Sequence, residues 1–213
     1  IGASGHGKVI ADIGILNGYE ILGFLDDNVL VKELMGFPVI GKISDAEKYI
    51  SQADFCVSIG NAMIRKKIMT ELSAKGASFP TLVHPHAVIG MCVDIGEGTV
   101  VMAGAGILLM PTMILFLFGQ KYFIDGIATK GCIINTCASV DHDCLIHDYS
   151  HVSVGTHIAG IVEVGEATWV GAGAVIKQVI RICGNCTIGA GAVVVKDIEK
   201  PGVYVGVPAK KVK

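Results

Sequence analysis

The chain of 213 residues has 52% hydrophobic and 17% charged residues, so it can bury a core and is excluded from the disordered class. Its 17 Lys and Arg against 19 Asp and Glu leave a net charge of -2, which excludes the basic surfaces that bind nucleic acid or anionic membranes. Gly supplies 28 residues and aromatic residues only 6%, a balance that indicates thin, repetitive β-structure.

Residues 1–80 have the pattern of alternating strands and helices. The predicted elements are a helix over 9–16, a strand over 21–27, a strand over 54–61 and a helix over 63–75. In the second helix, Arg65, Lys66 and Lys67 are expected on the exposed side. This alternation predicts a Rossmann-like α/β domain over residues 1–80, with a small open parallel sheet. The pattern stops near Phe79 and Pro80.

The glycine-rich turn Gly2–Gly7 before the first helix suits a nucleotide or another anion. Its glycines let a ligand approach the backbone, and the helix N-terminus offers unpaired N–H groups. Asp26 and Asp27 follow about twenty residues later at a strand end, where carboxylates accept hydrogen bonds from ribose. Gly60 lies at the end of the neighbouring strand. Nucleotide binding is therefore predicted, with an empty tight turn as the alternative.

From residue 134 onward an aliphatic residue recurs at every sixth position, in eleven consecutive steps. The series is Ile134, Val140, Ile146, Val152, Ile158, Val164, Val170, Ile176, Ile182, Ile188 and Val194. A shorter series, Ile89, Ile95, Val101 and Ile107, precedes it. A period of six matches neither a helix nor strand alternation and is typical of a solenoid. The pattern predicts a left-handed parallel β-helix over residues 81–213, with three hexapeptide sides in each turn.

The two series differ in phase, because the step from Ile107 to Ile134 is not a whole number of hexapeptides. A loop that leaves the coil is predicted over Leu115–Thr129, with about seven extra residues around Leu115–Phe123. Its aromatic cluster either packs against a neighbouring subunit or has no role.

Four of the seven histidines, His142, His147, His151 and His157, lie within sixteen residues. His142 stands between Asp141 and Asp143, and a carboxylate beside an imidazole is the usual way to make a general base. The His142 and His147 spacing also resembles the zinc ligands of γ-class carbonic anhydrases. That family needs a further histidine about two coils earlier, where this chain has none, so no metal is expected.

The seven cysteines are scattered and odd in number, so a reducing, cytoplasmic location is predicted. Cys183 and Cys186 have the spacing of half a zinc site or a redox pair, but no second pair accompanies them. No secretory leader is recognised at Ile1. The apolar run from Ile107 to Phe118 is too short to span a bilayer.

Nearly the whole chain resembles the hexapeptide-repeat acyltransferases that carry an N-terminal nucleotide-sugar domain. They include bacillosamine-type UDP-4-amino-sugar N-acetyltransferases, which are the most similar, GDP-perosamine N-acetyltransferases and sialic acid O-acetyltransferases. The segments that carry the resemblance are Gly2–Gly7, Phe24–Asp27, Ile59–Asn61, Arg65–Lys67, Asn135–Thr136, Asp141–Asp143, Ser150–Gly155 and Pro201–Lys210.

The resemblance implies a role for each matching residue. His142 matches the catalytic base and Asp143 the acid that raises its basicity. The residues that match nucleotide-sugar contacts are Ser4, Gly5, His6, Asp26, Asp27, Gly60 and Asn135, the last against the sugar's amino group. Those that match acetyl-CoA contacts are His151, Gly160 and Ala172.

The resemblance also implies an activity and an assembly. The activity is acetyl-CoA-dependent N-acetylation of a nucleotide-linked, UDP-type 4-amino sugar, without a metal. The assembly is a homotrimer, in which acetyl-CoA lies between adjacent β-helices. Two alternatives remain open at this point, namely O-acetylation of sialic acid and a non-catalytic protein that binds a nucleotide sugar.

Overall fold

The computed structural model describes residues 1–91, 93–108 and 127–212. The N-terminal part contains helices α1 (Gly5–Leu16) and α2 (Ala62–Ser73) and a 3-10 helix (Ile43–Tyr49). Its strands are β1 (Phe24–Leu25), β2 (Glu33–Leu34) and β3 (Phe37–Gly41). The three strands form one sheet in the order β1-β3-β2, in which β1 and β3 are parallel and β2 and β3 antiparallel.

Two details of this part differ from the prediction. The sheet is mixed, because the short connection between β2 and β3 makes a hairpin. Residues 54–61 form no strand. They are extended beside the chain start, where the Ile1 ammonium donates to Cys56 O at 2.6 Å and Ser58 N–H donates to Ile1 O at 2.8 Å.

Both predicted helices are present with shifted ends. Helix α1 begins at Gly5, four residues before the predicted start, so the glycine-rich turn supplies its first turn. Helix α2 begins after Asn61, whose side-chain oxygen accepts a hydrogen bond from Ile64 N–H. That cap satisfies one of the free N–H groups of the first turn and fixes where the helix starts.

The rest of the described chain is a coil of short parallel strands stacked in three faces. The first face contains β4 (Leu82–Val83), β7 (Val100–Val101), β10 (Ile133–Ile134), β13 (His151–Val152), β16 (Trp169–Val170), β19 (Cys186–Ile188), β21 (Gly202–Val205) and the antiparallel β22 (Lys210–Lys211). The second face contains β5 (Val88–Ile89), β8 (Gly106–Ile107), β11 (Ser139–Val140), β14 (His157–Ile158), β17 (Val175–Ile176) and β20 (Val193–Val194). The third face contains β6 (Asp94–Ile95), β9 (Ile127–Ala128), β12 (Leu145–Ile146), β15 (Glu163–Val164) and β18 (Arg181–Ile182).

Stacked strands pair in register, as His151 with Trp169 and Ser139 with His157. The chain positions of such partners differ by 18, which is one turn of three hexapeptides. The inward residue of each strand from β10 to β20 is the predicted aliphatic one, and none of the eleven is more than 1% exposed. These side chains form one continuous apolar core, so the hexapeptide prediction is confirmed. The left-handed sense of the coil and the division at residue 80 stay predictions.

The interruption of the coil falls between Leu108 and Ile127. Across it Cys132 N–H donates to Thr99 Oγ1, and the chain positions of these two residues differ by 33. Because a complete turn needs only 18, the interrupted turn holds 15 extra residues. The prediction of about seven was too small, since the phase shift alone does not count whole sides. The predicted loop also ran too far, because residues 127 and 128 are strand β9. Its aromatic cluster lies outside the described residues.

Helix α1 joins the two parts by packing along the first face. Ile10 and Ile13 lie on Leu82, Val100 and Ile133, which are the outward residues of β4, β7 and β10. The helix therefore fixes the N-terminal part on the coil by apolar burial. Among the described residues, no helix is long and apolar enough to cross a membrane.

Candidate functional site

The turn that joins β11 to β12, at residues 141–144, carries the predicted base. We call this column of turns, between the second and third faces, the second corner. His142 Nδ1 lies 2.8 Å from Asp143 Oδ2, and the His142 backbone N–H donates to Asp141 Oδ1 at 2.8 Å. The His142 side chain is 21% exposed. The two acids thus fix both the ring and the backbone of a histidine that a solute can reach.

The backbone of the second corner is unusual. Asp143, Ile161 and Val179 lie one above another in consecutive turns, at positive φ of 56°, 62° and 60°. Asp tolerates this left-handed conformation, but for a β-branched residue it is an outlier that costs free energy. Ile161 and Val179 are nonetheless 52% and 63% exposed. The corner therefore presents an apolar strip beside the histidine.

Gly160 lies directly below His142, one turn further along the coil. A β-carbon at this position would overlap Nε2 of the imidazole. The ring therefore rests on the bare backbone of the next turn, and no other residue can stand there without moving it. His142 and Gly160 are brought together as a pair, although their predicted roles were separate.

A groove of about 260 Å³ opens on the second face next to this corner. Its lining residues are Leu108, Ser139, Asp141, His157, Ile158, Ala159, Val175 and Ile176. Ser139 Oγ and His157 Nδ1 are hydrogen-bonded at 2.8 Å. The groove gives an extended ligand an apolar floor with a few polar groups, within reach of the turn that carries His142.

The predicted nucleotide-contacting residues of the N-terminal part surround the start of α1. Ser4 is the N-cap residue, and Ser4 and Gly5 are exposed. Asp26 Oδ2 accepts from Ala3 N–H at 2.6 Å and Oδ1 accepts from Asn28 N–H at 2.7 Å. Asp27 Oδ1 accepts from Ile43 N–H at 3.1 Å. The two carboxylates thus shape the loops around the helix start, a structural role that their spacing did not reveal.

A larger cavity of about 560 Å³ lies elsewhere, between α1 and residues 54–58. Its lining includes Gly7, Ile10, Phe24 and Phe55, but none of Ser4, Gly5 or His6. The predicted nucleotide-contacting residues therefore do not line this cavity.

His6, Asn135 and His151 meet where α1 reaches the coil. The His6 and His151 rings are edge to face at 5.7 Å between centroids, and Asn135 Nδ2 lies 3.2 Å from His151 Nε2. His151 is only 3% exposed. Burial, and then the nearby charges of Arg65 and His6, lower the pKa of His151 to about 3, so its ring is neutral. Burial and Arg65 also lower the pKa of His6.

Trp169 was not singled out from the sequence. Its indole stacks on His151, with 5.3 Å between centroids and 8° between planes, and its Nε1–H donates to Ser153 Oγ at 2.7 Å. The signal was available, because Trp169 follows His151 by one full turn of the coil, and the hexapeptide period places such residues on neighbouring strands.

Arg65 was predicted on the exposed side of α2, and that prediction is wrong, since the residue is 1% exposed. Its guanidinium donates to the carbonyls of Ile59, Gly60, Gly131 and Tyr149 at 2.5 to 3.0 Å. A helical pattern predicts that a basic residue faces solvent. Here the four backbone carbonyls accept hydrogen bonds from the guanidinium, so Arg65 can lie inside the molecule. Arg65 thereby ties Gly60 to the coil, and burial lowers its own pKa to about 10.

Four further residues that the sequence analysis named lie apart from these groups. Ala172 lies in the turn after β16, in a different corner from His142. His147 Nε2 contacts Glu163 Oε1 at 2.9 Å on the third face. Cys183 Sγ and Cys186 Sγ are 3.5 Å apart, and both cysteines are free. Within residues 1–91, 93–108 and 127–212, no three His, Cys, Asp or Glu side chains are placed to hold a metal ion.

Residues 1–72 match the PglD N-terminal domain family. UDP-N-acetylbacillosamine N-acetyltransferase of Bacillus subtilis (strain 168) is 33% identical over 108 residues, which are 48% of this chain and 50% of that protein. The chain spans 20 to 64% of the length of the curated relatives with which it aligns.

Solved structures are similar over nearly the whole chain. The acetyltransferase domain of PglB from Neisseria gonorrhoeae FA1090 is 37% identical, with a TM-score of 0.88 and coverage of 99% of this chain and 97% of that one. It has also been solved in complex with acetyl coenzyme A. PerB from Caulobacter crescentus, in complex with CoA and GDP-perosamine, is 31% identical, with a TM-score of 0.87 and coverage of 100% and 95%.

Proposed function

The chain belongs to the family of hexapeptide-repeat sugar acetyltransferases, and from that premise we propose that it N-acetylates a nucleotide-linked 4-amino sugar with acetyl-CoA. The observation that carries the proposal is the contact of His142 with Asp143 at 2.8 Å, on a turn that borders an open groove. A UDP-linked sugar is the proposed substrate, because UDP-N-acetylbacillosamine N-acetyltransferase is among the relatives.

In the proposed mechanism His142 is the general base. Asp143 accepts a hydrogen bond from Nδ1–H, which keeps the proton on Nδ1 and leaves the lone pair on Nε2 free to take a proton from the sugar amine. The amine nitrogen attacks the thioester carbonyl, and the tetrahedral intermediate collapses to the amide. The departing coenzyme A thiolate then receives the proton from His142. Base catalysis of this kind contributes about 10²–10⁴-fold to the rate.

The two substrates approach from different parts of the molecule. The nucleotide is assigned to the α1 start at Ser4, Gly5 and His6, where free N–H groups favour phosphate, and to Gly60, with Asp26 and Asp27 as the ribose contacts implied by the resemblance. Asn135 is assigned to the sugar end.

Acetyl-CoA is assigned to the coil, at Gly160 and Ala172. A homotrimer of left-handed β-helices completes the proposed arrangement, because the exposed Ile161 and Val179 and the open groove leave the His142 side of one chain uncovered. Light scattering during turnover tests this assembly, and an active monomer contradicts it.

Calorimetry with UDP, GDP and CMP-sialic acid, each with and without acetyl-CoA, tests the substrate class. We expect UDP to bind selectively and its 4-amino sugars to release CoA thiol in a coupled assay. Binding of GDP alone assigns a perosamine-type sugar instead. If acetyl-CoA binds and no nucleotide does, the proposal fails and O-acetylation of sialic acid replaces it.

A further inference from the structure

Arg65 hydrogen-bonds two separate parts of the molecule from a buried position. Its Nη1 donates to the carbonyls of Ile59 at 2.8 Å and Gly60 at 3.0 Å, at the end of the extended segment 54–61. Its Nε and Nη2 donate to the carbonyls of Gly131 and Tyr149 at 2.9 and 2.5 Å. Because the donors of a guanidinium stand in a fixed planar fork, these bonds set the direction of the first two carbonyls relative to the coil.

The coil end of this bridge is fixed by the stacked turns. Gly131 and Tyr149 lie in the turns that lead into the paired strands β10 and β13, at positive φ of 66° and 59°. Gly131 N–H donates to Glu97 O at 2.9 Å, and Tyr149 N–H donates to Lys130 O at 2.8 Å. Their carbonyls therefore give the Arg65 side chain two acceptors in constant positions.

At the other end, the neighbours of Ile59 and Gly60 have bonds of their own. Ser58 Oγ–H donates to Gly2 O at 2.6 Å. On the other side Asn61 is the N-cap of α2. Between these two anchors lies a link of two residues, and the guanidinium holds both of its carbonyls. The anchors fix where the link runs, and the guanidinium fixes how its peptide groups are turned.

The direction of these carbonyls decides where two N–H groups point. In a trans peptide the N–H points opposite to the C=O, so the bonds from Arg65 turn the N–H groups of Gly60 and Asn61 away from the guanidinium. Neither N–H donates to another group in the described part of the chain. Asn61 is exposed, and a β-carbon on Gly60 would meet no atom within 4 Å beyond its chain neighbours. Two oriented donors therefore stand beside open space.

We propose that Arg65 is a positioning residue for the nucleotide: it aims the N–H groups of Gly60 and Asn61 at an acceptor oxygen of that ligand. The inference rests on the proposed function, which assigns Gly60 to the nucleotide sugar. Arg65 does not touch the ligand itself, because it is 1% exposed and donates to four backbone carbonyls. Its loss therefore weakens nucleotide binding and spares acetyl-CoA, which is assigned to Gly160 and Ala172.

The test compares Arg65→Met with wild type in steady-state kinetics with both substrates varied. Met keeps an unbranched, adaptable side chain but removes every donor to the four carbonyls. We expect KM for the nucleotide sugar to rise about tenfold, as for loss of one directed contact. We expect kcat and KM for acetyl-CoA to stay within about twofold, the pattern of lost ground-state binding. Arg65→Lys keeps a buried donor and is expected to recover part of the loss.

Lys66→Met is the matched control, because it makes a similar change at the next residue of α2. Lys66 also joins the helix to the coil, through an ion pair with Glu166, but it bonds to neither carbonyl of the link. A half-exposed ion pair contributes little, so both KM values should stay unchanged. A rise in KM for acetyl-CoA that equals or exceeds the rise for the nucleotide sugar in Arg65→Met overturns the proposal. So do unchanged constants in folded Arg65→Met.

Gly60→Ala tests the same donors from the ligand side, and it covers the case in which Arg65→Met does not fold. The added methyl group occupies open space in the free protein, so the chain should fold. It stands next to the Gly60 N–H, where it obstructs a ligand oxygen. KM for the nucleotide sugar should rise and KM for acetyl-CoA stay constant. No change in the first constant overturns the proposal.

Calorimetry with UDP and with GDP separates this inference from the proposed function. If wild type binds either nucleotide but acetylates no nucleotide 4-amino sugar, the proposed function fails and the inference is decided by binding alone. Weaker nucleotide binding by the folded Arg65 variants than by wild type and Lys66→Met then supports the positioning role. Equal binding overturns it. If wild type binds neither nucleotide, both proposals fail.

Discussion

His142 and His151 are nine residues apart in the chain, yet the fold places them in opposite surroundings. His142 stands in the second corner with a carboxylate 2.8 Å from one ring nitrogen and part of its surface open. His151 lies under α1 with a neutral amide as partner and 3% exposure. A carboxylate stabilises an imidazolium, whereas burial opposes it. Burial keeps the His151 ring neutral, whereas the open ring of His142 is placed for the proposed proton transfer.

The largest effect is expected from His142→Ala, which removes the proton acceptor. Turnover should fall about 10²–10⁴-fold, the usual contribution of general-base catalysis. Binding of acetyl-CoA, measured by calorimetry, should remain close to wild type, because the change lies at the reacting centre. An unchanged kcat would contradict the role of His142 as the base.

Gly160→Ala tests whether the base depends on the bare backbone beneath it. The added methyl group would overlap His142 Nε2 and push the ring aside, and a misplacement of that size costs about 10²-fold in rate. Gly106→Ala is the control, since the nearest atom to its new β-carbon is 3.7 Å away. Equal kcat values for the two variants would mean that the position of the ring is not critical.

Asp143→Asn replaces the carboxylate partner of His142 with a neutral amide, which is the kind of partner that His151 already has. Asn tolerates the positive φ of 56°, so the turn should be retained. A hydrogen bond to a charged group is worth about 1.5–3 kcal/mol. With Asp143 half exposed, we expect the lower end, about a tenfold loss of kcat. Intact folding by circular dichroism with undiminished kcat would remove Asp143 from the mechanism.

The last prediction concerns stability rather than turnover, in the buried surroundings of His151. The pKa of His151 is about 3 in the folded chain and 6.5 ordinarily, so the unfolded chain binds a proton first as the pH falls. This group therefore leaves the free energy of unfolding unchanged above pH 6.5. Between pH 6.5 and 3 it lowers that free energy by about 1.4 kcal/mol per pH unit. His6 adds in the same direction, since its pKa is also lowered by burial and by Arg65.

Urea unfolding at pH 7.5, 6 and 5 measures this slope. His151→Phe lacks the titrating ring and should show a shallower loss of stability toward low pH than wild type. The same slope in both proteins would mean that the pKa of His151 in the folded state is close to its ordinary value.

The sequence was sufficient for the coil and for the contact between His142 and Asp143 in the turn of the proposed base. A period of six leaves little freedom, because each inward aliphatic residue must meet the one a full turn away, as Val152 meets Val170. The run Asp141–His142–Asp143 was recognisable because local neighbours in a turn stay neighbours in space. The length of the interruption was not recoverable from phase alone.

The junction between the two parts was not predictable in the same way. Arg65 bonds to carbonyls 66 and 84 residues away, and no local pattern specifies such partners. The stacking of Trp169 on His151 follows from the register of the coil, but the cover by His6 depends on how α1 docks. Contacts of this kind are set by packing between elements rather than by period.

The 15 extra residues enter the coil at the second corner, between β8 and β9, one turn before the corner that carries His142. Strand β9 nevertheless pairs with β6 and β12 in the same register as its neighbours. The stack is therefore indifferent to the path length between consecutive sides, provided that the chain leaves and re-enters at a corner. The number of residues at this corner can therefore change without shifting the strands, whereas a deletion inside a face would shift the register of every later strand.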